Sequence, residues 1–121
     1  MEEVSINCNK YTFIKEFKDN TLLRNSYNAL TQKTYGFNLE QWYQEGYWGS
    51  GYKPYSLLDG ENIVANVSAS IVDCLVLGEA KRYIQIGTVM TDSAYQNQGL
   101  ARYLMEKVIE EWKNKCDMIY L

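Results

Sequence analysis

The sequence predicts a mixed α/β (α+β) domain, a mostly antiparallel sheet flanked by helices, and three observations predict it. Between residues 55 and 91 apolar and polar side chains alternate with a period of two, broken at Asp59-Gly60 and Gly78-Glu79. That is the pattern of strands joined by tight turns. Before and after this block, over 20–35 and 99–114, apolar residues recur every three to four positions, as on amphipathic helices. No repeat, low-complexity tract or charge block divides the 121 residues, and the one proline leaves no Pro-rich linker, so 1–121 reads as one domain.

The elements follow in order. Residues 20–35 place Leu22, Leu23, Tyr27 and Leu30 at helical spacing behind the caps Asp19 and Asn20, and Gly36 ends the helix. A second, short helix starts at Asn38, where Asn38-Leu39-Glu40-Gln41 matches a capping box with an Asn cap. From Gly46 to Pro54 the run GYWGSGYKP reads as a loop. Trp42, Tyr43, Tyr47, Trp48, Tyr52 and Tyr55 crowd this stretch, as a small core under the loop or as a wall of a substrate pocket. Tyr55–Leu58 is a short strand, and Asp59-Gly60 with Glu61-Asn62 makes a tight turn. A long strand follows, with Ile63, Ala65, Val67, Ala69 and Ile71 on one face and Asn66, Ser68 and Ser70 on the other. Tyr83–Thr91 closes the meander, with Gly87 a bulge or a point of close backbone approach. Over 99–114, Leu100, Ala101, Leu104, Met105, Val108, Ile109 and Trp112 form one stripe, and Glu111 and Lys115 are an i,i+4 pair. The apolar run Met118–Leu121 reads as the beginning of a strand.

Composition excludes several classes of chemistry. Twelve Lys plus Arg against fifteen Asp plus Glu give a net charge of −3, no basic footprint for nucleic acid or an anionic membrane. Histidine is absent, which removes Ser-His-Asp and Cys-His catalysis and every His-containing zinc site from this chain. Cys8, Cys74 and Cys116 form no CxxC, are too few for a four-thiolate zinc site, and read as reduced thiols. The acidic start MEEVSINCNKYTF is no signal peptide, and no stretch reaches the roughly 20 apolar residues of a membrane span. Together these place the chain in the cytoplasm.

The segment that carries chemistry is Tyr95-Gln96-Asn97-Gln98-Gly99-Leu100-Ala101-Arg102, between a strand and a helix. A turn ending in Gly at a helix start leaves backbone N–H groups unpaired, and with the positive end of the helix dipole they suit a pyrophosphate. Gly99 lets phosphates approach the backbone without a Cβ in the way, and Ala101 is small enough for close packing on the sheet. Neither GxxxxGK[ST] nor GxGxxG is present.

Gln96-x-x-Gly99-x-Ala101 resembles the Q/R-x-x-G-x-G/A motif of the GNAT superfamily of acetyl-CoA-dependent N-acetyltransferases, and the order of elements around it is similar. Ile86–Ala94 looks like the family's fourth strand and its exit, with Ser93 where the family often has proline. The resemblance extends from a strand near Val4–Cys8 to a fifth strand at Met118–Leu121. It implies acetyl-CoA as cofactor, with the backbone of Gln96, Asn97, Gln98, Gly99, Leu100 and Ala101, and with Arg102, around the CoA pyrophosphate. It implies that Val89, Met90 and Thr91 pair with pantetheine as a further strand would, one backbone N–H there polarising the thioester carbonyl. The implied reaction is direct transfer of acetyl to a neutral primary amine of a small molecule or peptide in a ternary complex. No acid or base is identified: Asp73, Gln85 and Thr88 are the groups on the meander, and none stands out. The family fold continues past its fifth strand, so the resemblance also implies a fold truncated after that strand with an exposed edge: a fragment, or a chain whose edge a homo-oligomer completes. A non-catalytic CoA-binding or regulatory module is the alternative reading.

Overall fold

The computed structural model describes residues 1–121 as six strands and three helices. In chain order these are β1 (Glu2–Ile6), β2 (Asn9–Lys15), α1 (Thr21–Tyr35), α2 (Glu40–Gln44), β3 (Tyr52–Asp59), β4 (Asn62–Val76), β5 (Glu79–Thr91), α3 (Leu100–Trp112) and β6 (Met118–Tyr120). The sheet runs β1-β2-β3-β4-β5-β6, antiparallel throughout except for the parallel β5–β6 pair. The class is the mixed α/β, mostly antiparallel one that the sequence predicts.

The N-terminus departs from the expected single strand near Val4–Cys8. Residues 2–15 form a hairpin instead, and Asn7 and Cys8 are its turn, with φ of 51° and 65°. The sheet therefore has one strand more than the sequence reading counts, and Met118–Tyr120 is its sixth. β3 also starts earlier than Tyr55. Pro54 lies within it, one residue beyond the last residue that pairs with β2, so its missing N–H breaks no bond to that strand.

Each face of the sheet carries its own core. On one side α3 packs Leu100, Leu104, Val108 and Trp112 against Tyr55, Leu57, Ala65, Val67, Ala69, Ile84 and Ile86. The other side packs Leu23, Tyr27 and Leu30 of α1 with Ile14, Phe17, Trp48, Leu58, Ile63 and Met90. The face of Asn66 and Ser68 is thus covered by α1, and both residues are buried. Burial of their polar groups is offset by mutual bonding: Asn66 accepts from Ser56 Oγ at 2.6 Å and donates to Ser68 Oγ at 2.9 Å.

Two irregularities shift the alternation. Val64 is an extra residue in β4, because Leu57 pairs with Ala65 and Leu58 with Ile63. Ile63 therefore packs under α1 rather than on the face of Ala65 and Val67. The second bulge lies in β5. Ser68 pairs with Gly87 and Asn66 with Met90, so Thr88 and Val89 stand opposite Val67 alone. It falls just after the expected Gly87, and Thr88 has φ 48°.

The helix ends follow the sequence closely. The Asn20 side chain accepts from the N–H of Leu23, and Gly36 takes the left-handed conformation at φ 81°. Leu22 is the exception in the apolar set of α1, being exposed. The expected cap at Asn38 is displaced by one residue: Leu39 is the N-cap of α2 and makes no side-chain cap bond, while Asn38 just before it accepts from the N–H of Glu40 at 3.1 Å and Gln41 reaches Glu45 instead of closing a box. Arg24 ties α1 to α2: its Nε donates to Glu40 at 2.9 Å and its guanidinium lies 3.8 Å from the Tyr43 ring centroid. In α3, Ile109 is exposed, and Glu111 pairs with Lys15 at 2.7 Å rather than with Lys115.

Candidate functional site

The site is built where β5 leaves the sheet and α3 enters it. β5 pairs with β6 only over Tyr83, Ile84 and Gln85, so from Ile86 to Thr91 that edge of β5 carries no strand. Asp92 ends the strand: its N–H donates to Val64 O at 2.7 Å, and its carboxylate accepts from the N–H of Ala94 at 3.0 Å. Those bonds start a single 3-10 turn over Ser93–Tyr95. The Ala94 N–H, followed by the Lys33 ammonium at 3.1 Å, holds the Asp92 carboxyl below its ordinary range. Lys33 comes from the last turn of α1, so this one carboxylate joins α1, the exit of β5 and the loop beyond.

The loop itself presents backbone. Asn97 has φ 64° and Gly99 φ 84°, both left-handed, and Gly99 is the N-cap of α3. The first helix bond closed at Gly99 comes from Tyr103, and no main-chain N–H of residues 96–102 donates to a main-chain carbonyl, though the Gln96 side chain donates to Thr91 O at 3.4 Å. At Gly99 a Cβ would meet no atom within 4 Å, so what the position demands of glycine is its φ.

Val89, Met90, Thr91, Gln96, Asn97, Gly99, Leu100, Ala101 and Arg102 line one cleft of about 330 Å³ together with Tyr95. Nine of the ten residues singled out in the sequence thus come together. Gln98 faces the other way, accepting from the Tyr11 hydroxyl at 2.5 Å, and that bond pins the loop to β2. Ala101 lines the cleft instead of packing on the sheet, a correction to its expected role. Tyr95 adds a second anchor, donating to Asp59 at 2.5 Å and meeting Tyr11 edge to face at 6.4 Å. Its hydroxyl titrates above the ordinary tyrosine value, chiefly because it donates to Asp59. No carboxylate lines the cleft.

The remaining sequence candidates separate. Asp73 is paired with Arg82 at 2.8 Å, six residues along β4 from the bulge, or roughly 20 Å. Gln85 sits in the short register with Tyr120. Thr88 alone of the three stands at the bulge. Trp42, Tyr43, Trp48 and Tyr52 pack on one another at 5.2–6.4 Å, so the aromatic run is a core under the loop, and Tyr47 is its exposed member. Sequence reasoning passed over Tyr35, whose hydroxyl donates to Val89 O at 2.8 Å. Its place in the last turn of α1, next to the Gly36 cap, was the available signal.

Comparison with known proteins bears on the family and the fold. A family model described as acetyltransferase (GNAT) domain matches residues 13–121. Among solved structures, the chain is similar to an acetyltransferase of Trypanosoma brucei, at 16% identity and a TM-score of 0.72 over 90% of this chain and 80% of that one. A Clostridium acetobutylicum protein, described as a predicted acetyltransferase and solved with acetyl-CoA, gives 14% identity and a TM-score of 0.68 over 92% and 80%. An aminoglycoside acetyltransferase from an uncultured soil metagenomic sample, solved with sisomicin, gives 12% and 0.72 over 92% and 76%. Identities this low speak to the fold alone. No curated protein sequence matches the chain at a significant level.

Proposed function

The chain belongs to the GNAT acetyltransferase domain family, and from that premise we propose that it transfers acetyl from acetyl-CoA to a primary amine by direct attack in a ternary complex. One observation carries the reading: the strand-free edge of β5 and residues 96, 97 and 99–102, whose main-chain amides make no backbone bond, line the same cleft. The donor set fits the cofactor. A run of N–H groups at the start of a helix of 13 residues suits a pyrophosphate, because the dipole and the unpaired donors both favour negative charge. Gly99 keeps side-chain bulk away from those donors, and Arg102, exposed at the mouth, adds a cation. When bound, acetyl-CoA supplies the activated acetyl thioester.

The chain's own residues then have separate tasks. Gln96, Asn97, Gly99, Leu100, Ala101 and Arg102 hold the phosphates. Gln98 contributes backbone, its side chain being committed to Tyr11. Val89, Met90 and Thr91 offer main-chain groups to the pantetheine arm, and an N–H among them faces the charge that develops on the carbonyl oxygen.

The test is calorimetric titration with CoA, then release of free thiol from acetyl-CoA over amines ranging from small diamines to an aminoglycoside. Saturable CoA binding with thiol release on at least one amine supports the reading. Binding with no thiol release on any amine favours the non-catalytic CoA module, and absence of CoA binding removes both.

A further inference from the structure

The bulge at Thr88–Val89 is held by side chains from three separate elements. Thr88 is β-branched yet sits at φ 48°, a region such residues rarely occupy. Strain of this kind persists only where the surroundings over-determine it. Here Tyr52 of β3 shares a hydrogen bond of 2.9 Å with Thr88 Oγ1. Asn66 of β4 donates to the Thr88 carbonyl at 3.0 Å. Tyr35 of α1 donates to the next carbonyl, that of Val89. Behind Tyr52 stands Tyr27, fully buried and hydrogen-bonded to the Tyr52 hydroxyl. Burial raises the Tyr27 hydroxyl far above its ordinary value, so it stays protonated across ordinary pH.

The consequence is directional. Ile84 and Ile86 face α3, whereas Met90 faces α1, although all three are even-numbered. The bulge makes this phase change, and with it sets which way the main chain of Val89 and Met90 points. We infer that Tyr52 and Thr88 are positioning residues: the Tyr27–Tyr52–Thr88 hydroxyl chain fixes the bulge so that the N–H of Val89, outside the ladder in which Met90 pairs with Asn66, meets the thioester carbonyl. The inference rests on the reading of the cleft as the acetyl-CoA site. Neither Tyr52 nor Thr88 lines the cleft, so removal of their hydroxyls separates aim from affinity.

Tyr52→Phe keeps the ring that packs on Trp42 and Trp48 and removes only the hydroxyl. Thr88→Val removes the other end of the bond, and Thr88→Ser restores it. The probes are CoA, for binding, and acetyl-CoA carrying 13C at the carbonyl, for the carbonyl NMR shift. Amide shifts of Val89 and Met90 in the ligand-free protein give a third readout. In Tyr52→Phe and Thr88→Val, CoA affinity stays within about twofold, while the bound carbonyl signal moves toward its free value and the two amide signals shift. Transfer to a competent amine falls about 10- to 100-fold, the cost of a small misplacement of reacting groups. Thr88→Ser behaves as the parent protein. Unchanged carbonyl and amide signals in both deletion variants would overturn the inference, and should Tyr52→Phe fail to fold, Thr88→Val decides alone. If the parent protein binds no CoA, the proposed function falls and takes this inference with it.

Discussion

Single residues decide whether the cleft can take an anion. Gly99 has a left-handed backbone and open space where a side chain would start, so two substitutions there separate two effects. Gly99→Ala meets no clash and costs about 1–2 kcal/mol in backbone strain. Gly99→Glu adds a carboxylate among the free amides, and CoA affinity should fall more than about 100-fold with little further loss of stability. Calorimetry with CoA and thermal unfolding of both variants check this. Asp92 makes a prediction in pH. Its folded pKa is depressed, so the stability it contributes is present above the unfolded value of about 3.9 and is lost as pH falls through the folded value. Asp92→Asn should flatten the slope of the unfolding midpoint between about pH 5 and pH 2. A slope identical to that of the parent would show that other carboxylates carry it.

At the scale of elements, α3 shows what an apolar stripe does and does not specify. Leu104 is wholly buried against the sheet, whereas Ile109, in the same sequence stripe, is 42% exposed. Leu104→Ala should cost about 2–5 kcal/mol and Ile109→Ala less than about 1 kcal/mol, measured by urea unfolding. Comparable losses at both positions would contradict the packing. Periodicity made α1, α3 and the β3–β5 meander legible, because each buries a regular face. It failed where geometry is carried by exceptions. The β1–β2 turn uses Asn7-Cys8 at positive φ, where Gly would have announced a hairpin, so β2 went unread. The glycines before Tyr52 and Pro54 within β3 hid the start of that strand. The loop 96–102 was legible from its glycine and its position before a helix. The supports of the bulge were not, because Tyr27, Tyr35, Tyr52 and Asn66 come from three elements that only the fold brings together.

The whole molecule is one sheet with a core on each face, and the cleft lies where the two cores meet. Leu100 of the cleft wall belongs to the α3 core and Met90 to the α1 core. A ligand seated there braces both. CoA should therefore raise the unfolding free energy as a single cooperative unit, by about 2.7 kcal/mol at a concentration 100 times its dissociation constant. Scanning calorimetry at several CoA concentrations checks this, and a split transition with one half unmoved would show that the two faces unfold independently. No helix of the chain is long and apolar enough to cross a membrane.

The run of free amides from Gln96 to Arg102 has a consequence for how the site would respond to mutation. Recognition through main-chain N–H groups is indifferent to most side chains, so an alanine scan of this loop would register Gln98, which pins it to β2, Gly99 for its φ and Arg102 for its charge, and be nearly silent elsewhere. Drift at Gln96 or Asn97 would leave the main-chain donors in place, whereas Arg102 contributes through its side-chain charge and is not interchangeable. The cleft is robust by construction, and the informative perturbation there is chemical: replacing a single backbone amide by an ester, which deletes the donor and nothing else.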